Sequence, residues 1–127
     1  MEIKGPRGLY TIRYDAVRKI CYEVPVGLWT KEDYQIYHND YVSMIGPLLN
    51  GKWAKIVDLR QYKTSDITEE INKHSKWMMS TGCNTLAFIV ESAIVKMQMN
   101  NAGAGTFQQQ AFTDEKEAYE WLKSKGF

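Results

Sequence analysis

From Thr85 to Val90 the chain reads Thr-Leu-Ala-Phe-Ile-Val, with no charged residue in the run. A strand that is apolar at nearly every position has no face to offer water. It is expected at the middle of a parallel sheet, covered by helices on both sides. Trp53 to Leu59 (WAKIVDL) reads as another strand, ending in Asp58. Phe107 to Phe112 (FQQQAF) carries three glutamines and reads as an edge strand. Near the N-terminus, Tyr10, Ile12 and Tyr14 alternate with Leu9, Thr11 and Arg13. Ile20, Tyr22 and Val24 then oppose Cys21 and Glu23, after a short link at Asp15-Ala16-Val17. Two alternating runs joined in this way predict an antiparallel hairpin with one wetter face.

Helical spacing fills the gaps between these strands. Thr30 is placed to cap a first helix, with Asp33 answering it and Trp29 able to staple onto Tyr34. Tyr34, Tyr37, Tyr41, Met44, Ile45 and Leu48 then form one apolar face, which Gly46-Pro47 should kink or end. Ile67, Ile71, Ser75 and Met78 mark a second helix over Ile67 to Thr81, closed by Gly82. Ser92 can cap a third helix from Ala93 to about Met99. Asp114 and Glu117 precede a last one running through Trp121 and Leu122. The order is β-β-α-β-α-β-α-β-α. It predicts an α/β fold with a mixed, mostly parallel sheet of about five strands and right-handed crossovers. At 127 residues with 44% hydrophobic content, residues 1–127 make one domain.

Composition excludes several classes of function. Sixteen Lys plus Arg against fifteen Asp plus Glu leave a net charge of +1, so nucleic acid is not an expected partner. No apolar run approaches the ~20 residues of a transmembrane segment. Met1 to Arg7 lacks the apolar core of a signal peptide. Cys21 and Cys83 are too few and too far apart for a disulfide scaffold or a zinc cage. The expectation is a reduced, cytoplasmic protein with no metal and no cofactor.

The element order resembles the STAS domain, the fold of the anti-sigma-factor antagonists. Four stretches are similar to its SpoIIAA-like group: Trp29-Thr30-Lys31-Glu32-Asp33, Asp58-Leu59-Arg60, Val90-Glu91-Ser92, and Phe112 to Leu122 with its Glu117-Ala118 and Trp121-Leu122. Together the likeness spans about Gly8 to Leu122. It implies a STAS-like, non-enzymatic regulatory module that works through a protein partner. In such regulators an Asp-Ser-Ser-Gly follows the central strand's Asp-Leu by about eight residues, and its second serine is phosphorylated. Here that position holds Asp66-Ile67-Thr68-Glu69, so Asp66 matches and Thr68 falls on the phosphoacceptor, while Ile67 and Glu69 depart from the pattern. The group is also likened to lipid-transfer domains. That implies a second reading, a carrier of a lipid or other apolar small molecule.

The candidate residues follow from both lines of argument. Thr68, Ser65 and Thr64 at a helix start serve either as caps or as a switch. Asp58 and Arg60 end a central strand, where ligand sites of open α/β sheets gather, with Glu91 after the next strand. These three have the groups for acid–base chemistry, though such residues more often pair with one another. Tyr34, Tyr37, Met78 and Met97 supply adaptable apolar surface, serving either as ordinary core or as the wall of a cavity of a few hundred Å³. His38 and His74 lack a third ligand for a metal, and His74 is expected on the inner side of the second helix. Gly103 and Gly105 precede a strand and not a helix, so they do not form a dinucleotide loop. A homodimer is compatible with this reading.

Overall fold

The computed structural model describes residues 1–63, 67–93 and 107–127. In chain order its strands are β1 (Glu2–Lys4), β2 (Tyr10–Asp15), β3 (Ile20–Pro25), β4 (Gly27–Leu28), β5 (Trp53–Asp58), β6 (Tyr62–Lys63), β7 (Cys83–Ile89) and β8 (Gln108–Phe112). Six of them form one sheet in the order β1-β2-β3-β5-β7-β8, and β4 pairs with β6 in a small second sheet. The pairs β1–β2 and β2–β3 are antiparallel. The pairs β3–β5, β5–β7 and β7–β8 are parallel.

The mixed, mostly parallel α/β sheet is therefore as the sequence predicts, with the hairpin on one side and the glutamine strand at the edge. The sheet has six strands, not about five. The extra one is Glu2–Lys4, too short to show a period, which is held by pairing with Thr11 to Arg13. Asp58 ends β5 opposite Ile89 of β7, as expected for the central strands.

Local chemistry explains the turns and helix starts. Asp15 Oδ1 accepts from the backbone N–H groups of Val17 and Arg18, which closes the hairpin. Helix α1 (Lys31–Asp40) starts in a full capping box: Thr30 Oγ1 accepts from Asp33 N, and Asp33 Oδ2 accepts from Thr30 N. The Trp29 and Tyr34 rings staple at 5.6 Å. The apolar stripe runs differently from the simple helical expectation. After Asp40 the helix widens into a π turn over Tyr41–Ile45 and tightens into a 3-10 turn over Gly46–Leu48. These changes of period bury Tyr41 and Ile45 but leave Met44 and Leu48 exposed. Helix α2 (Thr68–Ser80) ends with Gly82 at φ +103°, and α3 (Glu115–Ser124) is capped by Asp114. Most of the helix expected over Ala93 to Met99 lies outside the described residues.

The two faces of the sheet carry separate cores. One packs Ile20, Ala54, Ile56, Ala87, Ile89 and Phe112 against Ala118 and Leu122 of α3. The other packs Tyr10, Ile12, Cys21, Trp53 and Leu86 against Tyr37, Tyr41 and Met78 of the α1 and α2 side. Strand register decides which residues share that second face. Ile12 pairs with Glu23 and Tyr14 with Cys21. Cys21 pairs with Lys55, Lys55 with Leu86, and Leu86 with Gln109. Glu23 and Lys55 are thereby delivered to the apolar face of β2. The wetter side of β3 is the other one, where Tyr22 and Val24 are only half-buried.

Candidate functional site

Two opposite charges face α1 and α2 from the middle of the sheet. Glu23 and Lys55 are 3% and 2% exposed, and Lys55 Nζ lies 2.6 Å from Glu23 Oε1. Burying an ion pair is costly unless every donor and acceptor is matched. Here the matching is dense. Tyr37 Oη donates to the Glu23 carboxylate at 2.6–2.7 Å, and Tyr41 Oη donates to Oε1 at 2.6 Å. Lys55 Nζ donates to Tyr37 Oη at 2.7 Å and lies 3.0 Å from His74 Nε2. Its ammonium also sits 4.2 Å from the centroid of the Tyr41 ring, in cation–π range. Burial, and then the neighbouring Glu23 charge, push the Tyr37 hydroxyl well above its ordinary value; Tyr41 moves the same way, chiefly through burial. Both are therefore neutral donors.

The network also assigns the histidine tautomers. An ammonium can only donate, so His74 Nε2 is the acceptor and its proton resides on Nδ1. His74 Nδ1 is 2.8 Å from His38 Nδ1, which must accept, leaving the His38 proton on Nε2. Burial, followed by the charge of Lys55, drives the His74 pKa well below its ordinary value. Burial also lowers that of His38, with Lys73 and Lys55 adding to the effect. Both imidazoles are thus neutral in the fold while the unfolded chain binds protons below about pH 6.5. The consequence is a stability that is fully present above that pH. It is lost as pH falls toward the folded-state values, at up to about 1.4 kcal/mol per pH unit for His74. Urea unfolding followed from pH 8 to 5 is expected to show this slope, and His74→Gln, which can still accept from Lys55, is expected to flatten it. Equal slopes in the two proteins would show that His74 is not the titrating group.

Beside this network lies a cavity of about 280 Å³. Trp29, Tyr34, Tyr37, Met78, Leu86 and Phe88 contribute to its walls, and Glu23, Lys55 and His74 form its charged and imidazole part. The expected convergence of Tyr34, Tyr37 and Met78 on a cavity is therefore present; Met97 lies outside the described residues. The side chains of Tyr34, Tyr62, Ser75 and Gln109 also line it, and none of them makes a hydrogen bond among the described residues.

The residues at the sheet's carboxyl edge are arranged differently. Asp58 is buried, and Arg60 grips both its oxygens, at 2.9 and 2.7 Å, with Tyr22 Oη at 3.2 Å. Burial raises the Asp58 carboxyl, but the Arg60 side chain and backbone N–H outweigh it and hold the pKa below the usual carboxylate range. Glu91 is exposed and forms no ion pair with Arg60 among the described residues. Thr68 is exposed at the first position of α2. The N-cap is Ile67 and Thr68 is the first helical residue, so Thr68 is not the cap that the Ser/Thr cluster suggests; no side chain among the described residues caps this helix. Ser65 and Asp66 lie outside the described residues.

Sequence reasoning missed Glu23, Lys55 and the polar end of the cavity. The available signal was a lysine in the middle of the strand WAKIVD, whose six residues are all buried and whose other charge is the terminal Asp58. Charges in a strand covered on both faces need partners.

No family model matches the sequence, and no curated protein matches it. A solved structure does match. It is the crystal structure of an uncharacterized protein from the DUF3478 family, with a SpoIIAA-like fold, from Shewanella loihica PV-4. The TM-score is 0.72 at 16% sequence identity, over 96% of this chain and 97% of that one. No helix among the described residues is long and apolar enough to cross a membrane. The chain has a SpoIIAA-like fold, carrying on one face of its sheet an apolar cavity that ends in a buried and internally satisfied ion pair.

Proposed function

We propose that this chain is a non-enzymatic binding module that encloses one small, mostly apolar molecule between its sheet and helix α2. The observation that carries the reading is the 280 Å³ cavity and its wall of aromatic and aliphatic side chains. Such a lining, with few polar groups, is what small-molecule sites share. The volume is roughly twice that of the ~150 Å³ cavity that accepts benzene. It suits a compact molecule or a short apolar chain. Catalysis is disfavoured because Lys55 and Glu23 spend their hydrogen bonds on each other, Tyr37, Tyr41 and His74, and because Arg60 occupies Asp58. Calorimetric titration with n-decanol tests the reading. Saturable binding with a negative heat-capacity change is expected. Met78→Trp fills the space and is expected to remove that binding, with its melting curve recorded alongside to separate loss of site from loss of fold. Absence of saturable binding to the unaltered protein, by n-decanol and by a neutral aromatic probe alike, would refute the proposal.

A second reading, a protein partner docking at the start of α2 as in the anti-sigma-factor antagonists, is favoured by the exposure of Thr68. Helix α2 also carries Ile71, His74, Ser75 and Met78 to the cavity, so ligand and partner would act on one element. Glu69 and Glu70 oppose a phosphate there, while the helix N-terminus favours it. Phosphopeptide mapping of protein isolated from its own cells is expected to show modified Thr68. Unmodified Thr68 under every growth condition would remove the switch.

A further inference from the structure

We infer that the cavity selects an uncharged, flat aromatic molecule carrying one hydrogen-bonding group. The inference rests on the binding-module reading and adds the chemistry of what is bound.

The walls supply the first part. Trp29, Tyr34, Tyr37, Tyr62, Phe88 and Phe107 all line the space. The Trp29 ring meets Tyr62 at 89° and 5.6 Å, Tyr37 at 60° and 5.1 Å, and Tyr34 at 61° and 5.6 Å. A flat ring entering among them finds both faces and edges to pack against, the geometry that aromatic pairs prefer. A flexible chain loses more conformational freedom and gains no such complementarity.

The charged end supplies the second part. A cluster of aromatic rings with a carboxylate is a usual receptor for a cation. Here the cation slot is already filled by the chain itself, because Lys55 Nζ sits over Tyr41 and on Glu23. A second cation would meet that ammonium. An anion would have to displace Glu23, whose oxygens accept from Tyr37, Tyr41 and Lys55 together. Among the described residues neither charge finds a free counter-charge, and desolvating an unpaired ion in such a site is expensive. Neutral hydrogen-bonding capacity does remain. Tyr34, Ser75 and Gln109 line the cavity, and their side chains have no hydrogen-bond partner among the described residues. Tyr34 is the strongest of these, since its ring also belongs to the aromatic wall.

Titration calorimetry of the full chain near neutral pH, with 2-naphthol, 2-naphthoate and 2-naphthylmethylammonium, separates the possibilities. The three share one ring system and differ in charge, and n-decanol serves as a neutral, non-aromatic reference. The expected result is that 2-naphthol binds about ten-fold or more tightly than either ion. Tyr34→Phe is expected to weaken 2-naphthol about 2- to 10-fold. Either ion binding as tightly as 2-naphthol would overturn the inference, because the Glu23–Lys55 pair would then be exchanging partners with ligand. An unchanged affinity in Tyr34→Phe would overturn the role of that hydroxyl. If n-decanol binds and 2-naphthol does not, the aromatic inference fails while the cavity reading stands. If none of the four binds, both fail.

Discussion

Lys55→Met is expected to cost about 3–5 kcal/mol, because it leaves the Glu23 carboxylate buried without its counter-charge. Glu23→Leu should cost a similar amount for the converse reason, stranding an ammonium that is 2% exposed. For a chain of 127 residues this corresponds to a fall in melting temperature of about 10–20 °C. The double variant Glu23→Leu/Lys55→Met removes both charges at once. It is expected to lose markedly less than the sum of the single losses, since apolar replacements of buried pairs are often near neutral. It will not recover everything. Tyr37, Tyr41 and the His74 Nε2 atom lose partners, at about 1–3 kcal/mol for each buried group left unsatisfied. Urea unfolding of the four proteins forms a double-mutant cycle. Additivity within about 0.5 kcal/mol would mean that the two charges are energetically independent, contrary to their 2.6 Å contact.

Gly82→Ala should be the other severe change. Gly82 follows α2 and precedes β7 at φ +103°, a conformation that L side chains rarely adopt. A Cβ there would also lie 2.5 Å from the backbone oxygen of Gly51 and 3.2 Å from its carbonyl carbon. Backbone cannot rotate out of the way as the end of a flexible side chain can. The strained conformation alone costs about 1–3 kcal/mol, and the clash brings the expected total to about 3 kcal/mol or more. Gly126 provides the control. Its φ is +98°, yet a Cβ on Gly126 would meet nothing within 4 Å, so Gly126→Ala should show the conformational cost without the clash. Equal losses in the two variants would show that the approach of Gly51 to Gly82 is not what requires glycine.

Much of the architecture is legible in the chain because it rests on short-range chemistry. Thr30 and Asp33 form the capping box their spacing predicts, and Asp114 caps the last helix. The glutamines of β8 sit at the sheet edge, where polar side chains meet water at little cost. The run from Thr85 to Val90 lies between two parallel neighbours, as an apolar strand requires. Glu2–Lys4 is not legible, because a strand of three residues exists only through its partner.

The candidate site divides along the same line. The aromatic and methionine content announces adaptable apolar surface, and Tyr34, Tyr37 and Met78 do meet at one cavity. What lies at its end cannot be read from the chain in order. The alternation around Glu23 is visible, but alternation alone does not tell which side is covered, and a register shifted by one residue would exchange the faces. The pairing of Ile12 with Glu23, and of Cys21 with Lys55, turns both charges inward. Helices α1 and α2 then bring Tyr37, Tyr41 and His74, from 14 to 19 residues away, to satisfy them. Periods, caps and breaks follow from neighbours along the chain, and the order of residues is enough to set them. That Glu23 and Lys55 form a buried pair is a product of assembly, because the energy that permits their burial comes from groups that meet only when the sheet and its helices have come together.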